Sequence, residues 1–342
     1  MSRVQPGTEH EVALEQSAGA FENGENFLLV RIHAATVGRA RQKNKNIFDP
    51  RKTAGHTAGV IIEFAPLEDE LGDVLDKAVR HDGRPEQAVA ESANVLLEKL
   101  RDAIDYRYDL SDDELRRLAA TLNLNEIGLL ALARHAYPLP EISGLPFCIY
   151  PLRMPHGIGV ANAYLVAECG SRRGLLFDTG PDFTTLRRVW PKTIENLDAI
   201  FVTHVETEHS GGLAGLRDAH PHTPVFGPAG GGRGLPGVTV PSDDSRLTFG
   251  DFEVRILRTP GHAEEHHCYV VRAPKLPQAP CVLISGDLLF AGSVGGAFYC
   301  QRRLLDNVRR LTAELPENTV IAPGHGPLTT LKNERAYNPF AL

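Results

Sequence analysis

The sequence predicts an α/β protein in which a layered domain of strands and helices, residues 144–342, follows a smaller and mostly helical region, residues 1–143. The spacing of apolar residues changes from helical to strand-like after Tyr137-Pro138-Leu139-Pro140. Strand-like segments then alternate with helical ones up to the last residues. Several of these strands end in a histidine or an acidic residue beside a glycine, and this repeated placement indicates a shared functional site.

The N-terminal region begins with a polar stretch, residues 1–26, that has no periodicity and suggests a loose lead. Two short strands are expected at residues 27–37 and 59–64. A basic run lies between them, residues 39–45 followed by Arg51 and Lys52. It could contact phosphate or nucleic acid, but it lacks interleaved aromatic residues, so a solvated loop is favoured.

Helices are expected in the rest of the N-terminal region. Apolar residues at helical spacing predict one amphipathic helix over residues 85–106. Ser111 and Glu114 form a capping box that begins a second helix, and a third begins at Asn125. The last two could be mistaken for a DNA-binding helix-turn-helix, but the acidic residues that open the first of them favour an ordinary helical hairpin. The role of residues 1–143 stays open.

Strands of the second domain are predicted from short apolar segments bounded by Gly and Pro. The first two, residues 147–152 and 163–168, are expected to pair, and residues 153–160 between them to form a hairpin or a mobile flap. The glycine-rich residues 229–237 carry neither a phosphate-loop nor a dinucleotide pattern and are expected to be a surface loop. The other predicted strands are residues 175–178, 197–202, 252–257, 281–284 and 319–322.

Composition narrows the class of protein. The chain has 342 residues, of which 42% are hydrophobic and 23% charged, as in soluble globular proteins. Its net charge of -7 argues against a general affinity for nucleic acid or an anionic membrane. The five cysteines are scattered and form no C-x-x-C pair, so no disulfide framework is expected. Without a signal sequence or an apolar span, a reducing cytoplasmic location is expected.

The densest group of potential metal ligands lies in residues 203–212. His204, Glu206, Glu208 and His209 fall within six positions, directly after the predicted strand 197–202. Gly211-Gly212 follows and allows a tight turn into the next helix. Such a density exceeds what a solvated loop requires, and a metal site is therefore predicted.

Three further residues of the ligand type end predicted strands. They are His262 in Thr-Pro-Gly-His, Asp287 in Ser-Gly-Asp and His325 in Pro-Gly-His-Gly-Pro. Taken singly, each is more often a hydrogen-bonded loop residue than a ligand. Their repeated position after a strand and beside a glycine favours one shared site.

The order of these motifs resembles the metallo-β-lactamase superfamily over residues 147–342. Residues 286–290 and 324–330, with Glu334 and residues 338–340, are similar to the short glyoxalase II-like hydrolases of that family. The resemblance implies an αββα four-layer sandwich with a dinuclear metal site, of zinc or iron, at one edge of the two sheets.

The resemblance also implies a role for individual residues. One metal would be held by His204, Glu206 and His262, the other by Glu208, His209 and His325, and Asp287 would bridge them. Asp178 and His266 would support these ligands from behind. Weaker candidates for substrate contacts are His156 on the expected flap and Tyr299, Arg302 and Arg303 after the Gly-Asp motif.

The sequence departs from the family at the ligand motif itself. Where the hydrolases carry H-x-H-x-D-H, this chain carries His204-x-Glu206-x-Glu208-His209. Flavodiiron proteins make a similar histidine-to-glutamate change, although they keep the aspartate. Three carboxylates against two divalent ions leave a charge of +1 (4 − 3), whereas the two carboxylates of the hydrolases leave +2 (4 − 2). The lower charge weakens the acidification of bound water and favours trivalent iron.

Three functions stay open. The first is a hydrolase of a small ester or thioester, in which a metal-bridging hydroxide held partly by Glu208 and Asp287 attacks the carbonyl. The second is a diiron oxidoreductase, or an oxygen- or nitric oxide-binding protein, that takes electrons from a separate redox partner. The third is a metal-stabilised regulatory protein whose N-terminal helices recognise a partner. The glyoxalase-like motifs after Asp287 favour the hydrolase.

Overall fold

The computed structural model describes residues 65–157, 159–229, 235 and 237–340, together with the backbone of two short strands near the N-terminus. Those strands, β1 (Leu28–Val30) and β2 (Val60–Ile62), pair in parallel. They fall within the two strands expected from the sequence. The basic run at residues 39–45, with Arg51 and Lys52, lies outside the described residues.

The helices after β2 pack around one apolar cluster. The second and third of them were expected to be a single helix over residues 85–106, and that prediction is wrong. Asn94 has φ of 49°, a left-handed conformation that ends the second helix, while apolar residues on both sides keep their helical spacing. The helices are α1 (Leu71–Asp82), α2 (Glu86–Ser92), α3 (Leu97–Ile104), α4 (Asp112–Leu122) and α5 (Glu126–Ala133).

The ends of these helices follow their capping residues. The capping box of Ser111 and Glu114 begins α4, and the Asn125 side chain accepts hydrogen bonds from the backbone at the start of α5, so both predicted starts are confirmed. Helix α1 was not predicted. It begins with a capping box between Glu70 and Asp73 and ends at Gly83 in the left-handed conformation.

The second half of the chain forms two sheets with helices on their outer faces. The first sheet and its helices are β3 (Cys148–His156), β4 (Gly159–Ala167), β5 (Arg173–Phe177), α6 (Phe183–Arg188), β6 (Asn196–Phe201), α7 (Thr207–Ser210), α8 (Leu213–Ala219) and β7 (Val225–Phe226). The second comprises β8 (Arg246–Phe249), β9 (Phe252–Arg258), β10 (His267–Arg272), β11 (Val282–Gly286), α9 (Gln301–Glu314), β14 (Val320–Pro323) and β15 (Thr329–Thr330). The strand order is β3-β4-β5-β6-β7 in the first sheet and β15-β14-β11-β10-β9-β8 in the second. The hairpin β12 (Leu289–Phe290) and β13 (Ser293–Val294) follows β11, and α10 (Leu331–Tyr337) follows β15.

Three apolar clusters give this half its layers. Side chains of both sheets, including Tyr164, Phe201 and Tyr269, form the cluster between them. Leu213 on α8 joins the outer face of the first sheet, and Leu304 on α9 joins that of the second. The order helix, sheet, sheet, helix confirms the predicted αββα sandwich.

The hairpin of β3 and β4 confirms one expectation and corrects another. Its antiparallel pairing continues to His156 and Gly159, so residues 153–156 and 159–160 belong to the hairpin, the first of the two expected alternatives, and not to a separate flap. The pairing also sets Cys148 opposite Ala167, which brings Cys169 within reach of a disulfide with Cys148. The expectation that no disulfide forms is therefore wrong, because strand register, which no cysteine motif reveals, decides the pairing.

The N-terminal helices contact the last residues of the sandwich. The backbone amide of Asn125 donates a hydrogen bond of 2.7 Å to Pro339, and Phe340 packs against the helical cluster. The Tyr137 hydroxyl lies 2.9 Å from both carboxylate oxygens of the buried Glu334. Among the described residues, no helix is long and apolar enough to cross a membrane.

Candidate metal centre

The seven predicted ligands come together at one edge of the two sheets. His204 follows β6, and Glu206 is the N-cap of the short helix α7, which carries Glu208 and His209. The other three residues follow strands of the second sheet: His262 after β9, Asp287 after β11 and His325 after β14. Each strand ends at the same edge, so residues far apart in sequence share one site.

The ligand-type atoms form two groups. His204, Glu206, His262 and Asp287 each place one nitrogen or oxygen within 4.8 Å of those of the others, and so do Glu208, His209 and His325 among themselves. Apart from Asp287, which the family resemblance makes a bridge between the metals, these are the sets that the resemblance implies for the first and the second metal. Their role as ligands remains a proposal.

Asp287 lies between the two groups. Its Oδ2 is 3.8 Å from Nε2 of His262 in the first group and 3.4 Å from Nε2 of His325 in the second. Its Oδ1 is 3.5 Å from Nε2 of His209. A carboxylate that faces histidines of both groups has the placement that a bridging ligand requires.

The buried polar atoms of the site fit bound cations. Nε2 of His204, His209 and His262 and Oδ1 of Asp287 are buried and lack a hydrogen-bond partner among the residues that the structure describes. Leaving such atoms unsatisfied costs about 1–3 kcal/mol each. Imidazole nitrogens and carboxylate oxygens that converge on one place suit zinc or iron, so these residues fit a metal centre.

The histidine rings are held through their other nitrogen. Nδ1 of His262 lies 2.8 Å from the carbonyl oxygen of Gly296, and Nδ1 of His325 lies 2.9 Å from that of Val160. Each Nδ1 therefore donates a hydrogen bond to a carbonyl, and Nε2 is the nitrogen that faces the site and can bind a metal once it has lost its proton. Metal-binding histidines are commonly oriented in this way.

Thr203 and Asp178 support His204 and His209. Nδ1 of His204 is 2.9 Å from Oγ1 of Thr203, whose hydroxyl lies 2.9 Å from Oδ2 of Asp178. The same Oδ2 is 3.3 Å from Nδ1 of His209. Asp178 has φ of 60°, a strained conformation for a non-glycine residue, and such strain is concentrated at functional sites. One buried carboxylate thus orients a histidine of each group.

His266 supports Asp287 rather than joining the ligands. Its Nε2 accepts a hydrogen bond of 3.2 Å from the backbone amide of Asp287, and its Nδ1 lies 2.8 Å from Oγ1 of Thr259. Burial, followed by the nearby His204 and His262, keeps the pKa of His266 well below its usual range. A neutral ring is required for it to accept the amide proton of Asp287.

Charge in the site favours ionised carboxylates. Contacts with His204 and then His262 hold the pKa of Glu206 below its usual range. Burial opposes the ionisation of Asp287, but His325 and His209 outweigh it and hold the pKa of Asp287 well below its usual range. Burial likewise opposes charge on His325, yet Asp287 outweighs it and raises the pKa of His325 to about 10. The carboxylates are thus in the form that binds a cation.

A glycine provides the room for this arrangement. Gly324 precedes His325, and a Cβ there would overlap Oδ1 of Asp287 and approach Cε1 of His209 to 2.8 Å. Any other residue at this position would displace ligands of the second group.

The four residues expected to contact the substrate lie at two places around the candidate metal centre. Nε2 of His156, at the tip of the β3–β4 hairpin, lies 3.6 Å from Oε1 of Glu208. The Tyr299 side chain is 43% exposed, and its backbone amide lies 3.1 Å from the carbonyl oxygen of His262, a residue of the first group. The guanidinium of Arg303 lies 5.8 Å from the centre of the Tyr299 ring, and Arg302 is exposed beside it on α9.

Two residues at the site, Phe298 and Glu68, were not predicted from the sequence. The ring of Phe298 is 78% exposed and lies 5.2 Å from that of His262. An aromatic residue directly before Tyr299 was the available signal. Oε2 of Glu68, from the N-terminal region, lies 3.8 Å from Nδ1 of His325, and no motif marks it.

Comparison with known proteins gives a consistent set of similarities. The family profile described as the metallo-beta-lactamase superfamily matches residues 156–325. "Probable metallo-hydrolase YqgX" of Bacillus subtilis (strain 168) is 31% identical over 211 residues, which cover 55% of this chain and 95% of that protein. "Probable hydroxyacylglutathione hydrolase glo2" of Schizosaccharomyces pombe is 28% identical, with coverage of 53% and 70%. Among solved structures, BLEG-1 B3 metallo-beta-lactamase is 29% identical, with coverage of 55% and 98% and a TM-score of 0.44.

Proposed function

Because the chain belongs to the metallo-β-lactamase superfamily, we propose that it is a metallo-hydrolase that cleaves a small ester or thioester with two divalent metal ions. One observation carries the proposal: two groups of ligand-type residues lie side by side with Asp287 between them. A structural metal site is satisfied by four ligands around one ion, whereas two adjacent groups are suited to two-metal hydrolysis.

The residues of the site have distinct tasks in this proposal. His204, Glu206 and His262 would hold the first ion, Glu208, His209 and His325 the second, and Asp287 both. The two ions would activate water and polarise the substrate carbonyl. Glu208 is half-buried, so water reaches its carboxylate, which can orient the attacking water through a hydrogen bond. Nε2 of His156 lies 3.6 Å from the same carboxylate. The ligand histidines keep their direction through the backbone carbonyls and Thr203 behind them.

The surroundings of His262 suggest where the substrate lies. Phe298 and Tyr299 form an exposed aromatic surface next to this histidine, and the guanidinium of Arg303 lies over the Tyr299 ring. Such a surface suits a substrate that has an apolar acyl group and an anionic part. Relatives named hydroxyacylglutathione hydrolase support a thioester in particular.

The test is hydrolysis by protein reconstituted with zinc or with iron. We expect cleavage of small thioesters, loss of activity with a chelator, and recovery when metal is returned. His262→Ala should abolish the activity, whereas His222→Ala, at an exposed position in the turn after α8, should leave it unchanged. A fully metallated protein that cleaves neither thioesters nor esters would contradict the proposal.

A second candidate function is a diiron oxidoreductase or an oxygen- or nitric oxide-binding protein. The observation that favours it is Glu206, which stands where the hydrolase motif has a histidine. Its Oε1 lies 3.2 Å from Nε2 of His262, and its Oε2 lies 3.8 Å from Nε2 of His204. Two histidines with a carboxylate are a set favoured by non-haem iron. Oxygen uptake by reduced, iron-loaded protein, together with absent esterase activity, would favour this candidate over the hydrolase.

A further inference from the structure

The segment that leads into α1 contacts the metal centre through two neighbouring carboxylates. Glu68 faces His325, and Asp69 accepts hydrogen bonds from Lys77 on α1 and from Ser293 on β13. Both residues lie outside residues 156–325, to which the family profile matches. These contacts therefore come from a part of the chain that precedes the residues matched by the profile.

Glu68 lies on the Nδ1 side of the His325 ring, opposite the side that faces Asp287. Nδ1 of His325 is 3.8 Å from Oε2 of Glu68 and 2.9 Å from the carbonyl oxygen of Val160. Nε2 of the same ring points the other way, 3.4 Å from Asp287. A carboxylate on the Nδ1 side stabilises the tautomer that has its proton there and makes Nε2 a stronger ligand.

The position of Glu68 is set by close backbone packing. Gly326, next to His325, has φ of 78°, and a Cβ at this position would lie 3.3 Å from the backbone nitrogen of Glu68. The side chain of Glu68 is 36% exposed, so it approaches His325 from the rim of the site rather than from the core.

Asp69 and Lys77 form hydrogen bonds with residues 293–294, which lie just before the glycine that binds His262. Lys77 donates a hydrogen bond of 2.8 Å to the carbonyl oxygen of Val294, and the Asp69 carboxylate joins Lys77 to Ser293. Two residues after Val294, the carbonyl oxygen of Gly296 accepts the proton of Nδ1 of His262. Asp69 is buried, and the ammonium of Lys77 is the charge that compensates it.

We propose that residues 66–70 and helix α1 position His325 and His262, one histidine of each ligand group, through Glu68 and through the pair Asp69–Lys77. The inference rests on the proposed metal centre and gives the N-terminal region a function in it. Glu68 acts on His325 directly, whereas Asp69 and Lys77 act on His262 through residues 293–296.

The test compares Glu68→Gln with Glu98→Gln in the full-length protein. Glu98 is an exposed carboxylate on α3 of the same region and serves as the matched control. Competition between the protein and a chelator for zinc gives the affinity of each ion. We expect Glu68→Gln to bind the second ion about tenfold more weakly, because loss of a residue behind a metal ligand commonly costs 10–100-fold in affinity. Glu98→Gln should bind as the wild type does.

Two measurements on metal-free protein complete the test. The ¹⁵N resonance of His325 Nδ1 should shift in Glu68→Gln and not in Glu98→Gln. Hydrogen exchange at residues 293–296 should accelerate in Asp69→Asn. The inference would be overturned if Glu68→Gln had the same zinc affinities and the same His325 resonance as Glu98→Gln. Because Glu68 is partly exposed, we expect Glu68→Gln to fold, so this variant decides the outcome even if Asp69→Asn does not fold. A wild type that binds no second ion would instead contradict the proposed function, and the resonance of His325 would still decide the role of Glu68.

Discussion

Replacement of Asp178 by Asn tests whether this carboxylate orients His204, through Thr203, and His209. Oδ1 of Asp178 accepts a hydrogen bond of 2.7 Å from the backbone amide of Thr203, and Asn can keep that contact. Oδ2 lies 2.9 Å from Oγ1 of Thr203 and 3.3 Å from Nδ1 of His209. In Asp178→Asn, an amide group that donates protons replaces this second oxygen.

The cost follows from the contacts that are lost. The Thr203 hydroxyl also lies 3.1 Å from Oδ1, which Asn keeps, so the contact of the carboxylate with His209 is the main loss. A contact with a charged group contributes about 1.5–3 kcal/mol, so metal-free Asp178→Asn should lose about 2 kcal/mol in the free energy of unfolding. The Thr203 hydroxyl can rotate to a new partner, but Nδ1 of His209 would face the protons of the amide. His209 would then no longer present Nε2 to the metal, and the second ion should bind about 10–100-fold more weakly.

The assay is zinc affinity by chelator competition, followed by urea denaturation of the metal-free protein. Asp182→Asn is the matched control, because the Asp182 carboxylate caps the nearby helix α6 by accepting a hydrogen bond from the backbone amide of Thr185, and Asn caps helices equally well. Affinities of Asp178→Asn within about threefold of the control at both metal positions would refute the reasoning.

Three further predictions concern charge, pH and substrate. Glu206→His should raise hydrolysis several-fold, because it restores a charge of +2 to the two-metal site; no gain with both ions bound would contradict the charge argument. Burial, followed by the positive charge of Arg258, lowers the pKa of His267 to about 4, so the folded state binds fewer protons than the unfolded chain between that pH and about 6.5. Stability should therefore fall by about 2 kcal/mol from pH 7 to pH 5 through this residue. Urea denaturation at both pH values should show that His267→Phe loses about 2 kcal/mol less of its free energy of unfolding between pH 7 and pH 5 than the wild type does. If the variant loses as much as the wild type, His267 is not the source of the pH dependence. Phe298→Ala should raise KM about fivefold for thioesters with a bulky apolar acyl group and leave that for acetyl thioesters unchanged; equal effects on both would rule out an apolar contact.

The sequence was most informative where function is encoded locally. His204, Glu206, Glu208 and His209 form one short motif after a strand, and the strand-end position of the other three residues could be predicted from apolar segments and glycines. The sandwich followed from the order of these motifs, and it is confirmed. The capping box at Ser111 likewise located the start of α4, because its hydrogen bonds join residues only three positions apart.

Contacts between distant parts of the chain were beyond this reasoning. Glu68 reaches His325 only after the N-terminal helices have packed against the sandwich, and nothing near Glu68 in sequence indicates a metal. The disulfide of Cys148 and Cys169 depends on the register of the β3–β4 hairpin. The break at Asn94 was hidden because residues on both sides keep helical spacing and are buried in one cluster. In each case tertiary packing decides the outcome.

The metal content of the purified full-length protein tests the dinuclear centre most directly, when it is measured by elemental analysis after expression with zinc and, separately, with iron. We expect two ions per chain in the wild type and one ion in the double variant His204→Ala/His262→Ala, which removes two ligands of the first group. We also expect a higher unfolding temperature with metal than with chelator, because ions that bind only the folded state stabilise it. A wild type that binds at most one ion, or whose unfolding temperature does not change with metal, would contradict the dinuclear centre.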